Sequence, residues 1–265
     1  EFDGWRLFQL VFIVSNLSGV VNREYEEYAT EYDDQADVLW FPTGGGKTEA
    51  YVGLILFNLF FDRLRGKSQG VTAWIRFPLR LLSRQQKTRF LTSLLHAEKI
   101  RQSRSERGLN GRGEPFSLGF FAGSHDTPNA IGTERDPYRD MFQESQEKLE
   151  QNCQVLEECP LCESNVTVEY DVERNSVSHI CQGSGCLGEL PLYVVDRDIY
   201  RYVPSILLGS LDKIAVMGMQ PRFANILGNY TTECPVHGYG YSGKCSEHHI
   251  CEHGSDVEEV DPDSV

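Results

Sequence analysis

Apolar residues recur at helical spacing from Phe2 to Val21, with Trp5, Phe8, Val11, Phe12 and Leu17 sharing a side, and predict an amphipathic helix. A polar, acidic linker, Asn22 to Asp37, leads to a short buried strand at Val38 to Phe41. Pro42 to Lys47 reads as a loop, and Thr48 to Leu64 as a nearly all-apolar helix ended by Gly66. The pattern then alternates. A strand is expected at Val71 to Phe77, a helix at Leu79 to Ala97, a mobile Arg/Ser/Gly-rich loop at Arg101 to Gly113, and a third strand at Phe116 to Phe121. A fourth strand follows only at Ser205 to Leu208, after a long insertion. Strands alternating with helices predict an α/β fold with a parallel sheet covered on both faces. No internal repeat is visible.

The longest apolar stretches, Leu7 to Val14 and Val52 to Phe61, fall short of the roughly 18–20 residues a membrane span needs. No signal peptide precedes them, so a cytoplasmic protein with no membrane partner is expected. With 265 residues, 40% of them hydrophobic, the chain can bury one large domain or one domain with insertions. It begins Glu1-Phe2 and ends in the acidic run Val257 to Val265, so a piece of a longer protein is expected. The formal net charge of −14 argues against coating nucleic acid by bulk charge. Between Asp62 and Arg112, however, thirteen Lys/Arg face three acids, whereas the last 35 residues carry eight acids against Lys244. That basic stretch fits a local nucleic-acid track as well as it fits an ordinary solvated surface.

Candidate chemistry concentrates first in Thr43-Gly44-Gly45-Gly46-Lys47-Thr48. Glycines let a backbone wrap phosphate oxygens, and amides plus a helix N-terminus supply donors. Lys47 would place charge on the β/γ-phosphates of ATP, and Thr48 would offer a hydroxyl to Mg²⁺. The strict G-x-x-x-x-G-K-T form wants Gly where Phe41 stands, so the match is to the shorter P-T-G-x-G-K-T.

All eight Cys follow residue 152, clustered with His, which in a cytoplasmic chain points to metal and not to disulfides. Cys159 and Cys162, with Cys181 and Cys186, flank a hairpin expected at Asn165 to Tyr170 and Ser176 to Ile180, turning near Glu173 to Asn175. Four thiolates suit tetrahedral Zn²⁺, leave no open position for chemistry, and predict a structural zinc ribbon. A second group offers more ligands than one zinc needs. Of these, Cys234, His237, Cys245 and Cys251 are the chosen set, against a disordered His-rich loop. Cys153 fits neither.

After the loop, Pro78-Leu79-Arg80-Leu81-Leu82-Ser83-Arg84-Gln85-Gln86 resembles motif Ia of superfamily 2 helicases, whose loop touches the backbone of the bound strand. The resemblance implies nucleic-acid contacts from Arg80, Ser83 and Gln86. Ala122-Gly123-Ser124 stands where that family has a Gly step, and Gly209-Ser210-Leu211-Asp212-Lys213 where it has a T-P-x-R-like step, which adds Gly123, Ser124, Ser210 and Lys213. The runs Trp5 to Gln9, Leu39 to Tyr51, Leu79 to Gln86, Thr127-Pro128-Asn129 and Val194 to Arg201 resemble the helicase-like subunit of the DISARM anti-phage system. This implies a RecA-like fold interrupted by the zinc ribbon, and a DNA-binding ATPase that works with a partner subunit and a DNA methyltransferase in phage defence. It also implies that Gln9 reads adenine; by its own pattern Gln9 is equally a polar residue on an amphipathic helix.

The expected organisation is 1–135 as the first part of the RecA-like domain and 136–190 as the zinc-ribbon insertion. Its continuation follows at 191–230, and 231–265 is a Cys/His-rich, acidic second insertion. The D-E-x-H motif that phosphoryl transfer needs is not present. Leu192 to Asp196 imitates a Walker B strand but lacks the following Glu and precedes the fourth strand. The chain alone is therefore expected to bind nucleotide weakly and not to hydrolyse it. A nucleotide-gated DNA-binding scaffold is the rival reading, and a small-molecule kinase a distant third.

Overall fold

The computed structural model describes residues 4–28, 36–40, 42, 44–77, 80–104, 108–110, 112–121, 128–129, 145–211, 213, 215, 219–241, 243–247, 251–253 and 258–260. They belong to two compact units, Glu1–Asp62 and Arg63–Val265.

In the first unit, helix α1 spans Leu7–Asn22 and a 3-10 turn spans Glu26–Tyr28. Helix α2, Lys47–Arg65, begins there directly after the glycine loop. Gly53 lets the two helices approach closely: a Cβ on it would lie 2.7 Å from Ile13 Cδ1 and 2.8 Å from the Trp5 ring. Phe12 and Tyr51 meet edge to face at 5.6 Å beside that contact. The buried strand expected at Val38 to Phe41 is not found over residues 36–40. Val38 and Trp40 are 85% and 92% exposed, and no described strand pairs with the segment. Without a ladder on either edge, its apolar pattern alone does not make a strand. Phe41 and Thr43 lie outside the described residues.

The second unit is built on a four-stranded parallel sheet flanked by helices. Strands β1 (Ala73–Phe77), β2 (Leu118–Phe121), β6 (Leu192–Tyr193) and β7 (Ile206–Ser210) lie in the order β1-β7-β2-β6. β2 and β7 read as continuous apolar runs because both of their faces are covered. Phe121 and Leu207 share one core cluster with Ile199 and Tyr200 of helix α5, Asp196–Tyr202, and a Cβ on Gly119 would lie 3.4 Å from Ile199. Phe120 faces the other way, under Lys87 of helix α3, Arg80–Ser103. Leu192 to Asp196, the Walker B imitation, therefore supplies the edge strand β6 and the start of α5.

Helix α3 runs six residues past its expected end at Ala97, so the loop expected from Arg101 starts only after Ser103. Arg101 is 4% exposed, bonds both oxygens of Glu98 (2.8 and 2.7 Å) and holds the carbonyls of Leu109 and Arg112. Glu98 also accepts Phe116 N–H at 2.9 Å. A cation with a buried carboxylate one turn away extends a helix that its polar sequence would have ended. Arg63, likewise buried, donates to the carbonyls of Lys67 and Glu114. Part of the basic stretch thus serves the fold.

Helix α4, Gln146–Cys153, leads to the hairpin of β3 (Val166–Asp171) and β4 (Ser176–Cys181), extended by β5 (Glu189–Leu190). A third sheet joins β8 (Thr232–Cys234), β9 (Gly238–Gly240) and β10 (Glu258–Glu259). Among the described residues no helix is long and apolar enough to cross a membrane.

Candidate phosphate loop and metal-ligand groups

In the first unit the glycine loop is fastened to α1. Gln9 is 5% exposed; its Oε1 accepts Arg6 N–H at 2.8 Å, which caps α1, and its Nε2 donates to Gly46 O at 2.8 Å. Arg6 Nη1 donates to Gly45 O at 2.8 Å. Gly46 has φ +91°, and a Cβ there would come within 2.8 Å of Gln9 Nε2, so glycine is needed for both reasons. Lys47 Nζ donates to Pro42 O at 3.1 Å, and Gly45 N–H reaches the same carbonyl at 3.3 Å. The result is a tight turn ending on the first turn of a 19-residue helix, whose leading amides point out along the helix axis. Thr48 sits half-buried in that turn. Arg6 was not singled out from the sequence; its place in the Trp5-Arg6-Leu7-Phe8-Gln9 run was the available signal.

Of the expected nucleic-acid contacts, Gly123 and Ser124 lie outside the described residues, and Arg80 and Ser83 are described only as the start of α3. Gln86 is half-buried one turn further on. Ser210 ends β7 and is 3% exposed. Lys213 is 6% exposed, forms a buried ion pair with Asp196, reaches Asn129 Oδ1 at 3.4 Å and lies 4.7 Å from the centre of the Phe121 ring. As placed, its charge is spent inside the fold.

The second unit carries two metal-ligand groups. Cys159, Cys162, Cys181 and Cys186 bring their sulfurs within 4.8 Å of one another, with Cys159–Cys186 at 3.6 Å and Cys162–Cys181 at 3.3 Å. A tetrahedron with metal–sulfur bonds of about 2.3 Å has edges of about 3.8 Å, so the spacing fits a metal centre. It is too long for S–S bonds, and all eight cysteines are free. The knuckle is locally built: Glu163 N–H donates to Cys159 O, and Glu163 takes φ +60°. Gly183 N–H donates to Cys181 Sγ at 3.4 Å, and a Cβ on Gly183 would meet Cys162 Sγ at 2.7 Å. Hydrogen bonds from Ser164, side chain first and then backbone, hold the Cys162 thiol down to about 6, whereas burial pushes Cys181 up to about 12 and raises Cys186.

The second group is Cys234, His237, Cys245 and Cys251, again within 4.8 Å. Cys234 Sγ stands 3.6 Å from His237 Nδ1 and 3.9 Å from Cys251 Sγ. His237 Nε2 contacts Glu173 O at 3.0 Å. With the ring proton donated to that carbonyl, Nδ1 keeps its lone pair for a metal, the usual outer support of a ligating histidine. Glu247 N–H donates to Cys245 Sγ at 3.3 Å. Both groups could therefore hold a metal ion such as zinc. Cys153 is buried outside both, its thiol pushed up to about 12 by burial and then by the charge of Asp198.

One junction ties the groups together. Arg201 donates to Asp198 and to the carbonyls of Arg174 and Asn175 in the β3–β4 turn, each bond between 2.7 and 3.0 Å. Arg197 pairs with the fully buried Glu247, which also accepts Asn175 Nδ2 at 3.2 Å. The first ligand group thus sits at the open end of the hairpin, and the second grips its turn. The Asp196-Arg197-Asp198 and Arg201 charges, placed in an apolar run, were the sequence signal for this junction.

No family model matches the chain. In sequence it is similar to the DISARM protein DrmA of Bacillus paralicheniformis (strain ATCC 9945a / NCIMB 11709 / CD-2), 33% identical over 265 aligned residues that take in 92% of this chain and span only 22% of that relative's length.

Proposed function

We propose that this chain is the nucleotide-binding part of a helicase-type, RecA-like P-loop ATPase that acts on DNA in phage defence with a partner subunit, its insertions held by two structural zinc ions. The observation that carries the reading is the Gly44 to Thr48 loop. Gln9 and Arg6 clamp its backbone, and it opens directly onto a long helix. Lys47, Thr48 and the loop amides would hold the triphosphate and its Mg²⁺, and bound Mg²⁺ would neutralise charge on the phosphates. Gln9 shapes the loop from behind; reading adenine would require it to exchange Gly46 for the base. Arg80, Ser83 and Gln86 would contact the bound strand, and Gly123 and Ser124 would add to those contacts. Ser210 and Lys213 would join only after the Asp196 pair opens. Similarity to a DISARM protein supports the defence setting.

The decisive experiment measures DNA-stimulated ATP turnover in the full-length protein and in Lys47→Ala. Turnover should vanish in the variant while its thermal unfolding stays unchanged, and turnover retained by the variant would remove Lys47 from the site. DNA binding without any turnover in the unaltered protein would replace the motor by a scaffold. Arg80→Ala should weaken DNA binding with a salt slope shallower by about one.

A further inference from the structure

The second unit holds a cavity of about 430 Å³ that borders the second metal-ligand group at Cys234 and extends well beyond it. It lies at the N-terminal ends of the parallel strands, since Gly70, Ser117, Pro191 and Ser205 line it, each preceding a strand. This is the end opposite to Ser210 and Lys213. Its remaining walls come from Arg63, from α3 at Glu98 and Gln102, from the end of α5, from the hairpin and β5, and from β8–β9, and its size is that of an ordinary small-molecule site.

The lining has two chemically distinct halves. One is aromatic and acidic. Tyr193 and Tyr202 stack at 5.1 Å with rings 20° apart, and Tyr239 donates its hydroxyl to Glu233 at 3.1 Å. Glu114, Glu189 and Glu233 stand exposed at the rim. Glu189 is matched by Arg174. Glu114 and Glu233 have no cation within ion-pair distance among the described residues. Tyr202 OH donates to Val236 O, whereas the Tyr193 hydroxyl has no hydrogen-bond partner among those residues. The other half offers donors. Ser117 and Ser205, 7% and 4% exposed, each accept the other's backbone N–H, at 3.3 and 3.4 Å. That exchange leaves both buried hydroxyl protons without an acceptor among the described residues, a cost that a bound acceptor would relieve.

We infer that this cavity binds an organic cation bearing a hydrogen-bond acceptor, the chemistry of an arginine residue. Its guanidinium lies over the Tyr193–Tyr202 stack toward Glu114 and Glu233, and its carbonyl accepts from Ser117 and Ser205. Aromatic faces and unmatched carboxylates favour a weakly hydrated planar cation. The lining sets the carboxylates of Glu98, Glu114, Glu189 and Glu233 against the guanidinium groups of Arg63 and Arg174, a negative balance that disfavours phosphate-bearing ligands.

The test is calorimetric titration of the full, metal-loaded chain with N-acetyl-arginine amide, free arginine and their citrulline isosteres, which keep the shape and lose the charge. An arginine probe should bind at least tenfold more tightly than its citrulline counterpart. The double variant Glu114→Gln/Glu233→Gln should lose at least tenfold in that binding, and Ser117→Ala a few-fold. Binding of the blocked amide alone assigns the site to a peptide side chain; binding of free arginine assigns it to the amino acid. The Gln variants change exposed rim positions, and unchanged metal content and thermal unfolding check that they fold. No arginine binding at millimolar concentration, equal citrulline binding, or binding unmoved by the Gln pair would overturn the inference.

Discussion

Glu98 shows how much a single side chain settles here. Burial alone would raise its carboxyl. The hydrogen bonds from Arg101 and from Phe116 N–H, with the Arg101 charge, outweigh burial and hold it below the usual carboxylate range. A carboxyl lowered by folding contributes stability above its unfolded value of about 4.3, and that stability is lost as pH falls through the lower folded value. Glu98→Gln should therefore cost about 3–5 kcal/mol at neutral pH, because Arg101 is left buried without its anion. The gap between variant and parent should narrow below about pH 4 in acid-dependent denaturant melts; a gap constant with pH would separate Glu98 from that linkage. The eight residues of the two metal-ligand groups were legible in the sequence as candidates because thiolate and imidazole groups at short spacing have few other uses. Arg101 was not, because the carbonyls of Leu109 and Arg112 that it holds arrive from beyond the helix and only the folded chain brings them there.

Periodicity located most elements of the second unit to within a few residues, from β1 to the β3–β4 hairpin. It failed at Val38 to Trp40, where an apolar run has no described neighbour, since strand identity depends on a partner as well as a pattern. It also missed the last turn of α3, where local composition suggests a loop and a buried ion pair decides otherwise. At the α1–α2 contact the deciding residue is Gly53, which the all-apolar pattern of α2 conceals. Gly53→Leu should force the helices apart and destabilise the first unit by about 1–3 kcal/mol. It should also raise amide exchange at Gly45 and Gly46, which hang from Arg6 and Gln9 on α1. Unchanged exchange there would show that the loop holds its shape without α1.

Across the whole molecule, the two ligand groups predict two zinc ions per chain by elemental analysis. A folded, metal-free sample would defeat that reading. Gly183→Ala should selectively disturb the first group, where the added methyl would strike Cys162 Sγ. The β3–β4 hairpin carries Cys181 at one end and gives Glu173 O to His237 at the other, so neither group can rearrange without moving a rigid ladder that the other depends on. Affinities joined in this way are reciprocal: whatever one occupied site adds to the other, it receives in return. Chelator titration should then strip the two ions in one steep step, and Gly183→Ala should make the intact second site easier to empty. The small hairpin acts as a crossbar between two locks, so the chain has a single threshold for losing its metals.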